Sequence, residues 1–186
     1  MKSDITKESI IQETIRLLQE SDGLPESITI RRIAERAGVG VGLINHYFGS
    51  KENLIEICVQ TIISGVIGAF RPALGDWADP VEITKTVAKQ VMDFLMENPQ
   101  ISRVSILGDM KQPKPADNTM KTVFGLGSRL PGGQLTVEHK RRAFMLTAVL
   151  QEAFLRRDLM KESFDVDFYD KAQRDQFIDD VVERYV

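Results

Sequence analysis

The stretch AGVGVGLINHYFGSKENL, Ala37 to Leu54, contains four glycines, two aromatic residues and one of the chain's two histidines. A glycine loop that binds a nucleotide follows a buried strand and has glycines at its first, third and sixth positions. Here Leu43 occupies the sixth position. The preceding segment, TIRRIAERA, has helical rather than strand periodicity, with apolar residues at Ile30, Ile33, Ala34 and Ala37. The glycines are therefore interpreted as parts of a turn between two helices.

A short helix from about Val41 to Tyr47 follows this turn. Gly38 stands where the preceding helix ends, because glycine adopts the left-handed conformation without steric cost. Gly42, at the start of the short helix, has no side chain, so the helix backbone can come close to another molecule, such as a phosphate group. Ser50 can cap a fourth helix. Helix, glycine turn and short helix form the helix-turn-helix arrangement.

The remaining sequence predicts further helices, and no segment shows strand alternation of any length. The residues at 71–80, RPALGDWADP, form a break by composition, and MKQPKPADNT from Met110 is predicted to be a loop. The segment around TMKTVFGLGSRLPGGQ stays ambiguous. An all-α fold is predicted, with helices at about 3–19, from 29, 41–47, 51–70, 79–97, after Pro99, 136–160 and from 168 onward.

Composition excludes several classes of protein. The chain has 186 residues, of which 42% are hydrophobic, enough to bury a core in one or two domains. A polar N-terminus and the lack of a long apolar run predict a cytoplasmic protein without a membrane segment. One cysteine and two histidines cannot supply an internal disulfide or a structural zinc site, so no metal and no cofactor are expected.

Charge is distributed unevenly along a chain whose net charge is −3. The segment 28–52 carries +2, because four cations outnumber two glutamates. A basic segment in an acidic chain is suited to a nucleic-acid partner, although a solvent-exposed helix face would have the same composition.

The segment ITIRRIAERAGVGVGLINHYFGSKENL resembles the signature of the tetracycline-repressor-like (TetR) family. The resemblance rests on AGV, then glycine and HYF, then SKE and a leucine in fixed register. It implies an N-terminal three-helix DNA-binding domain, residues 1–50, and a helical ligand-binding and dimerisation domain, residues 51–186, that begins with a connector helix at 51–70. The implied function is a DNA-binding transcriptional regulator, a repressor that a small-molecule inducer releases from a palindromic operator.

Three residues depart from the family pattern. Gly40 occupies the place of a serine helix cap, Asn45 that of a tyrosine that touches the DNA backbone, and Val41 that of a polar or basic residue. These departures affect the expected operator sequence, which stays open together with the regulated genes, the inducer and the sign of regulation.

The resemblance, matched residue by residue, assigns a DNA-binding set. Val41 and Leu43 suit a thymine methyl group, and Asn45 suits adenine or a phosphate. Lys51 at a helix start suits a phosphate. Tyr47 fits an inward packing role equally well. The complete set is Arg31, Arg32, Val41, Gly42, Leu43, Asn45, His46, Tyr47 and Lys51.

The larger domain offers two further predicted surfaces. Apolar residues that could line an inducer cavity, with Arg103 as an anchor for an anionic group, are Met92, Met96, Phe124, Phe144 and Met145. The same apolar residues could equally belong to the ordinary hydrophobic core. Arg103 could equally be a surface residue whose aliphatic stem covers apolar neighbours while its guanidinium stays in water. The last two helices carry more apolar surface than one internal face needs, which predicts a homodimer through Phe154, Leu155, Phe177, Val181 and Tyr185.

Two other functions stay open. A DNA-binding dimer without a small-molecule effector fits the same sequence. A small helical enzyme with a di-iron centre would need a Glu-x-x-His pair on each of two helices, and neither His46 nor His139 has a glutamate three residues before it. The chain is therefore expected not to be an enzyme.

Overall fold

A computed structural model describes residues 2–67, 79–131 and 135–186 of the chain. Ten α-helices and no strand occur among these residues, which confirms the all-α prediction. The helices are α1 Lys2–Gln19, α2 Ile30–Ala37, α3 Val41–Phe48, α4 Lys51–Ile67, α5 Pro80–Glu97, α6 Pro99–Lys111, α7 Asn118–Gly127, α8 Val137–Leu155, α9 Arg157–Phe164 and α10 Lys171–Tyr185. A short 3-10 helix, Pro25–Ser27, lies between α1 and α2.

The chain forms two compact units. The first combines residues 1–69 with 98–113, and the second combines 70–97 with 114–186. Helices α4 and α6 therefore belong to the first unit, together with α1 to α3. The functional division after residue 50 stays a prediction. The last residues of the predicted connector helix, 68–70, and most of the predicted break, 71–78, lie outside the described residues.

The first unit is built around α1, which packs against α2, α4 and α6. Between Ile10 and Leu18 the buried side of α1 is apolar apart from Thr14, and burial of each leucine or isoleucine contributes about 1.5–3 kcal/mol. The Cys58 thiol lies in this core, where burial raises its pKa to about 12. The fully buried aliphatic side chains include Ile10, Leu18, Ile28, Ile33, Ile44 and Leu54.

The second unit joins α5 and α10 through a charged network. Arg174 is almost fully buried and donates hydrogen bonds to the Phe168 carbonyl at 2.7 Å and to Asp93 Oδ1 at 2.9 Å. Lys171 binds the same carboxylate at 2.7 Å. Partial burial raises the pKa of Asp93, but hydrogen bonds from these two cations outweigh it and hold that pKa below its ordinary value.

Two segments differ from the sequence expectation. The predicted helix at 136–160 breaks at Arg156, whose φ of −102° and ψ of 13° are not helical, so α8 and α9 are separate helices. The first part of the ambiguous segment, up to Gly127, belongs to α7. Asp117 caps this helix by accepting from the Met120 amide at 2.8 Å. Gly127, the last residue of α7, packs closely against α8, since an added Cβ would lie 3.4 Å from both the Ala143 Cβ and the His139 carbonyl oxygen.

Candidate nucleic-acid interface

The turn between α2 and α3 is set by local hydrogen bonds. Thr29 begins α2 by accepting from the Arg32 amide at 3.2 Å. Gly38 ends α2 in the left-handed conformation, with φ of 64°, and its amide donates to the last turn of the helix. The Val39 amide donates to the Ala34 carbonyl at 2.9 Å. The predicted helix-turn-helix is thus formed by residues 30–48.

Helix α3 presents two different faces. Ile44 and Phe48 point into the core of the first unit and are buried. Gly42, Asn45 and His46 are exposed and, at spacings of three and four residues, share the other face. The remaining predicted contacts on this helix, Val41, Leu43 and Tyr47, are half-buried.

The first turn of α3 is open toward solvent. Gly40 precedes it without a side chain that could cap the helix, and the first turn contains no acidic residue. An added Cβ at Gly42 would meet no atom within 4 Å, so packing within the chain does not require glycine there. Uncapped amides at the positive end of a helix are suited to an anion.

Two exposed cations, Arg31 and Arg32, lie in the first turn of α2. A helix dipole places partial positive charge at this end, so cations there do not stabilise the helix itself. Their position is explained better by an external anion than by the stability of α2.

Arg36, the third arginine of α2, has a different environment. Its guanidinium donates two hydrogen bonds of 3.0 Å to the Glu20 carboxylate and lies 3.5 Å from Glu13. Hydrogen bonds from Arg36 lower the pKa of Glu20, and the same bonds raise that of Arg36. Arg36 thus ties α2 to α1. Periodicity could not reveal this contact, because Glu20 and Arg36 are 16 residues apart.

Two side chains stabilise the connection between α3 and α4, and only one of them, Ser50, was predicted from the sequence. Ser50 caps α4 as predicted, since its hydroxyl accepts from the Asn53 amide at 3.1 Å. The Asn53 side chain also donates to the Phe48 carbonyl at 2.8 Å, which links the last turn of α3 to α4. Lys51 begins α4, is half-buried, and has its Nζ atom 3.9 Å from a carboxylate oxygen of Glu52.

The predicted ligand residues are divided between the two compact units. Arg103 lies on α6 in the first unit, and its Nε atom is buried without a hydrogen-bond partner among the described residues. The others belong to the second unit, where Met92 is buried and Met96 and Phe124 are half-buried. Phe144 and Met145 on α8 are 53% and 42% exposed, so they do not line the interior of their unit.

The predicted interface residues also differ in burial. Phe154 is fully buried and Val181 nearly so, which places both in the core of their own unit rather than on its surface. Leu155, Phe177 and Tyr185 are half-buried, and the Phe177 ring packs against another aromatic ring of the unit. A partner subunit can reach these three but not the first two.

Residues 2–67, 79–131 and 135–186 contain no group of three or more potential metal ligands. Among the helices of the same residues, none is both long and apolar enough to cross a lipid bilayer.

A family model described as bacterial regulatory proteins, tetR family, matches residues 10–58, which include the whole helix-turn-helix. This segment of the chain is similar to the tetR family. Two relatives of this chain come from Chromohalobacter salexigens. The HTH-type transcriptional regulator BetI 2 is 31% identical over 126 residues, 58% of this chain and 60% of that protein. BetI 1 is 32% identical over 123 residues, again 60% of its length. The matched region therefore spans less than two thirds of each relative.

Two solved structures resemble this chain over nearly its whole length. A transcriptional regulator from Rhodococcus sp. Rha1 has a TM-score of 0.62 at 17% identity, with 100% of this chain and 96% of that chain covered. A TetR-family regulator from Haemophilus influenzae RD has a TM-score of 0.54 at 20% identity, with 97% and 96% covered. At these identities the likeness concerns the fold alone.

Proposed function

We propose that this protein is a tetR-family transcriptional regulator that binds double-stranded DNA through α3 in the cytoplasm, and not an enzyme. The exposed face of α3, with Gly42, Asn45 and His46, carries the proposal. All three residues are exposed and lie outside the buried core of the first unit. A helix that enters the major groove reads bases through such a face.

The charges around α3 support a DNA partner. Arg31 and Arg32 provide positive charge at the start of α2, and Lys51 provides it at the start of α4, so α3 is flanked by cations along the chain. Phosphate contacts fix the position of a reading helix, and contacts to base edges determine its sequence preference. Asn45 is the residue on α3 suited to adenine.

Selection from sheared genomic DNA tests the function. The purified protein should retain a small set of fragments that share a palindromic sequence, and Asn45→Ala should retain fragments with a relaxed preference at one position of each half-site. Retention of no fragment above the level of an unrelated protein would overturn the proposal.

The two arginine environments on α2 supply a charge test with a matched control. Arg31→Gln and Arg36→Gln remove one charge each from the same helix, but Arg36 is already bonded to Glu20. If Arg31 contacts phosphate, the salt dependence of DNA binding should fall by about two units of slope in a dimer, close to one per subunit. Arg36→Gln should leave the slope nearly unchanged. Equal slopes for both variants would remove Arg31 from the interface.

We further propose that the protein acts as a homodimer through an exposed face of α8. Phe144 and Ala148 are exposed and Leu155 is half-buried, at spacings that place them on one side of the helix. Phe144→Glu with Ala148→Glu should yield a folded monomer by light scattering. Phe164→Glu on α9 replaces another exposed aromatic residue and serves as the control. A dimer that survives the double substitution would refute this interface.

An inducer site in the second unit is the remaining part of the proposal. Thr147 is buried, and its hydroxyl has no hydrogen-bond partner among the described residues. A buried hydroxyl without a partner is unfavourable by about 1–3 kcal/mol, so a bound polar group would relieve a penalty there. Thr147→Val should preserve DNA binding but weaken release by the inducer. If a metabolite screen finds no compound that weakens DNA binding, a regulator without an effector is the better description.

A further inference from the structure

Helix α1 carries a cation toward the end of the proposed reading helix. Lys7 is exposed, and its Nζ atom lies 5.8 Å from the centroid of the Phe48 ring. Phe48 is the last residue of α3 and is buried. The positive charge of Lys7 is therefore positioned at the C-terminal end of α3, on a helix for which the sequence predicted no DNA-contacting residue.

The contact with Phe48 orients the lysine without occupying its hydrogen-bonding capacity. An ammonium group over an aromatic ring is held by weak electrostatic attraction, and its three N–H donors can still bind an acceptor. Among the other polar side chains described on α1, Arg16 pairs with Glu13 and Gln12 donates to Glu8 at 2.8 Å.

The neighbourhood of Phe48 already belongs to the candidate interface. Tyr47 packs edge-on against Phe48, with 6.2 Å between ring centroids, and Lys51 begins α4 three residues later. In a helix-turn-helix protein, elements outside the reading helix contact the phosphate backbone and fix its register. The position of Lys7 beside the α3 end is suited to such a contact.

We propose that Lys7 is a further DNA-binding residue that contacts a backbone phosphate, so that α1 contributes to the interface together with α2, α3 and α4. This inference rests on the proposed function. It predicts a contribution to affinity that does not depend on base sequence, because a lysine on a phosphate reads charge alone.

Salt titration of binding to duplex DNA of random sequence tests the inference, with Lys7→Gln as the variant and Arg16→Gln as the control. Both substitutions remove one charge from an exposed position of α1, but the Arg16 charge is paired with Glu13. Lys7→Gln should lower the slope of log K against log salt by about two units for a dimer. Lys7→Arg should retain the slope, and Arg16→Gln should change it little.

The outcomes separate this inference from the proposed function. If the unsubstituted protein binds no duplex, the proposed function and this inference fail together. If it binds and Lys7→Gln keeps the full slope, Lys7 only packs against Phe48 and this inference alone is overturned. A slope that falls equally in Arg16→Gln would also overturn it, because the effect would then reflect net charge. Thermal melting of each variant verifies that it is folded.

Discussion

Replacement of Gly42 by alanine should stabilise the protein and weaken its binding to DNA at the same time. An added Cβ at this position meets no atom within 4 Å, so the methyl group causes no clash within the chain. Alanine in a helix is more stable than glycine by about 0.5–1 kcal/mol, because glycine loses more backbone entropy on folding. For a protein of this size, such a gain raises the melting temperature by about 1–4 °C.

The effect on DNA binding should have the opposite sign. Gly42 lies on the exposed face of α3, and a methyl group there would hold the backbone away from the DNA surface. Hydrogen bonds to phosphate lengthened in this way lose most of their strength, and each is worth about 1.5–3 kcal/mol. Loss of one such bond in each subunit of a dimer, about 3 kcal/mol or more in total, should weaken binding at least about a hundredfold.

Thermal melting and DNA titration of Gly42→Ala and Gly108→Ala measure both effects. Gly108 lies within α6 of the same compact unit, and an added Cβ there also meets nothing within 4 Å. It should therefore give a similar rise in melting temperature with unchanged DNA affinity. If Gly42→Ala is stabilised but binds DNA as well as the unsubstituted protein, residue 42 does not approach the DNA closely. A lower melting temperature would instead contradict the packing on which the magnitude rests.

Three further predictions concern stability and reactivity. Gly23→Ala should lower the urea midpoint by an amount equivalent to about 1–3 kcal/mol, because φ is +75° and the new Cβ would lie 3.1 Å from the Gln100 backbone; an unchanged midpoint would contradict that contact. Asp93→Asn should destabilise by about 1–3 kcal/mol at pH 7, since it removes the partner of buried Arg174. Because the folded pKa of Asp93 is lowered, this deficit should shrink in urea titrations as the pH falls below about 5, and a deficit that does not depend on pH would count against the ion pair. Cys58, with its pKa raised to about 12 by burial, should react with a thiol reagent at pH 8 only as fast as the unit opens, and rapid labelling of the native protein would refute its burial.

The helix-turn-helix could be predicted from the sequence because its determinants are local. The threonine cap of α2, the left-handed Gly38 and the serine cap of α4 depend on hydrogen bonds and backbone torsions within a few residues. Apolar periodicity likewise shows which side of α3 is buried, since Ile44 and Phe48 are one helical turn apart. Local chemistry of this kind is encoded in short stretches of sequence and needs no knowledge of distant contacts.

The roles of individual residues outside the motif depended on tertiary structure. Helical spacing marks Phe144 and Phe154 alike as apolar, but only the packed unit shows that the first is exposed and the second fully buried. Likewise, Arg31 and Arg36 are equivalent basic residues in the sequence, and only the folded structure shows that Glu20, just after α1, pairs with Arg36. The position of Lys7 over Phe48 is of the same kind. Periodicity gives the direction of a side chain around its own helix axis, whereas its partner is set by how helices distant in the chain pack together.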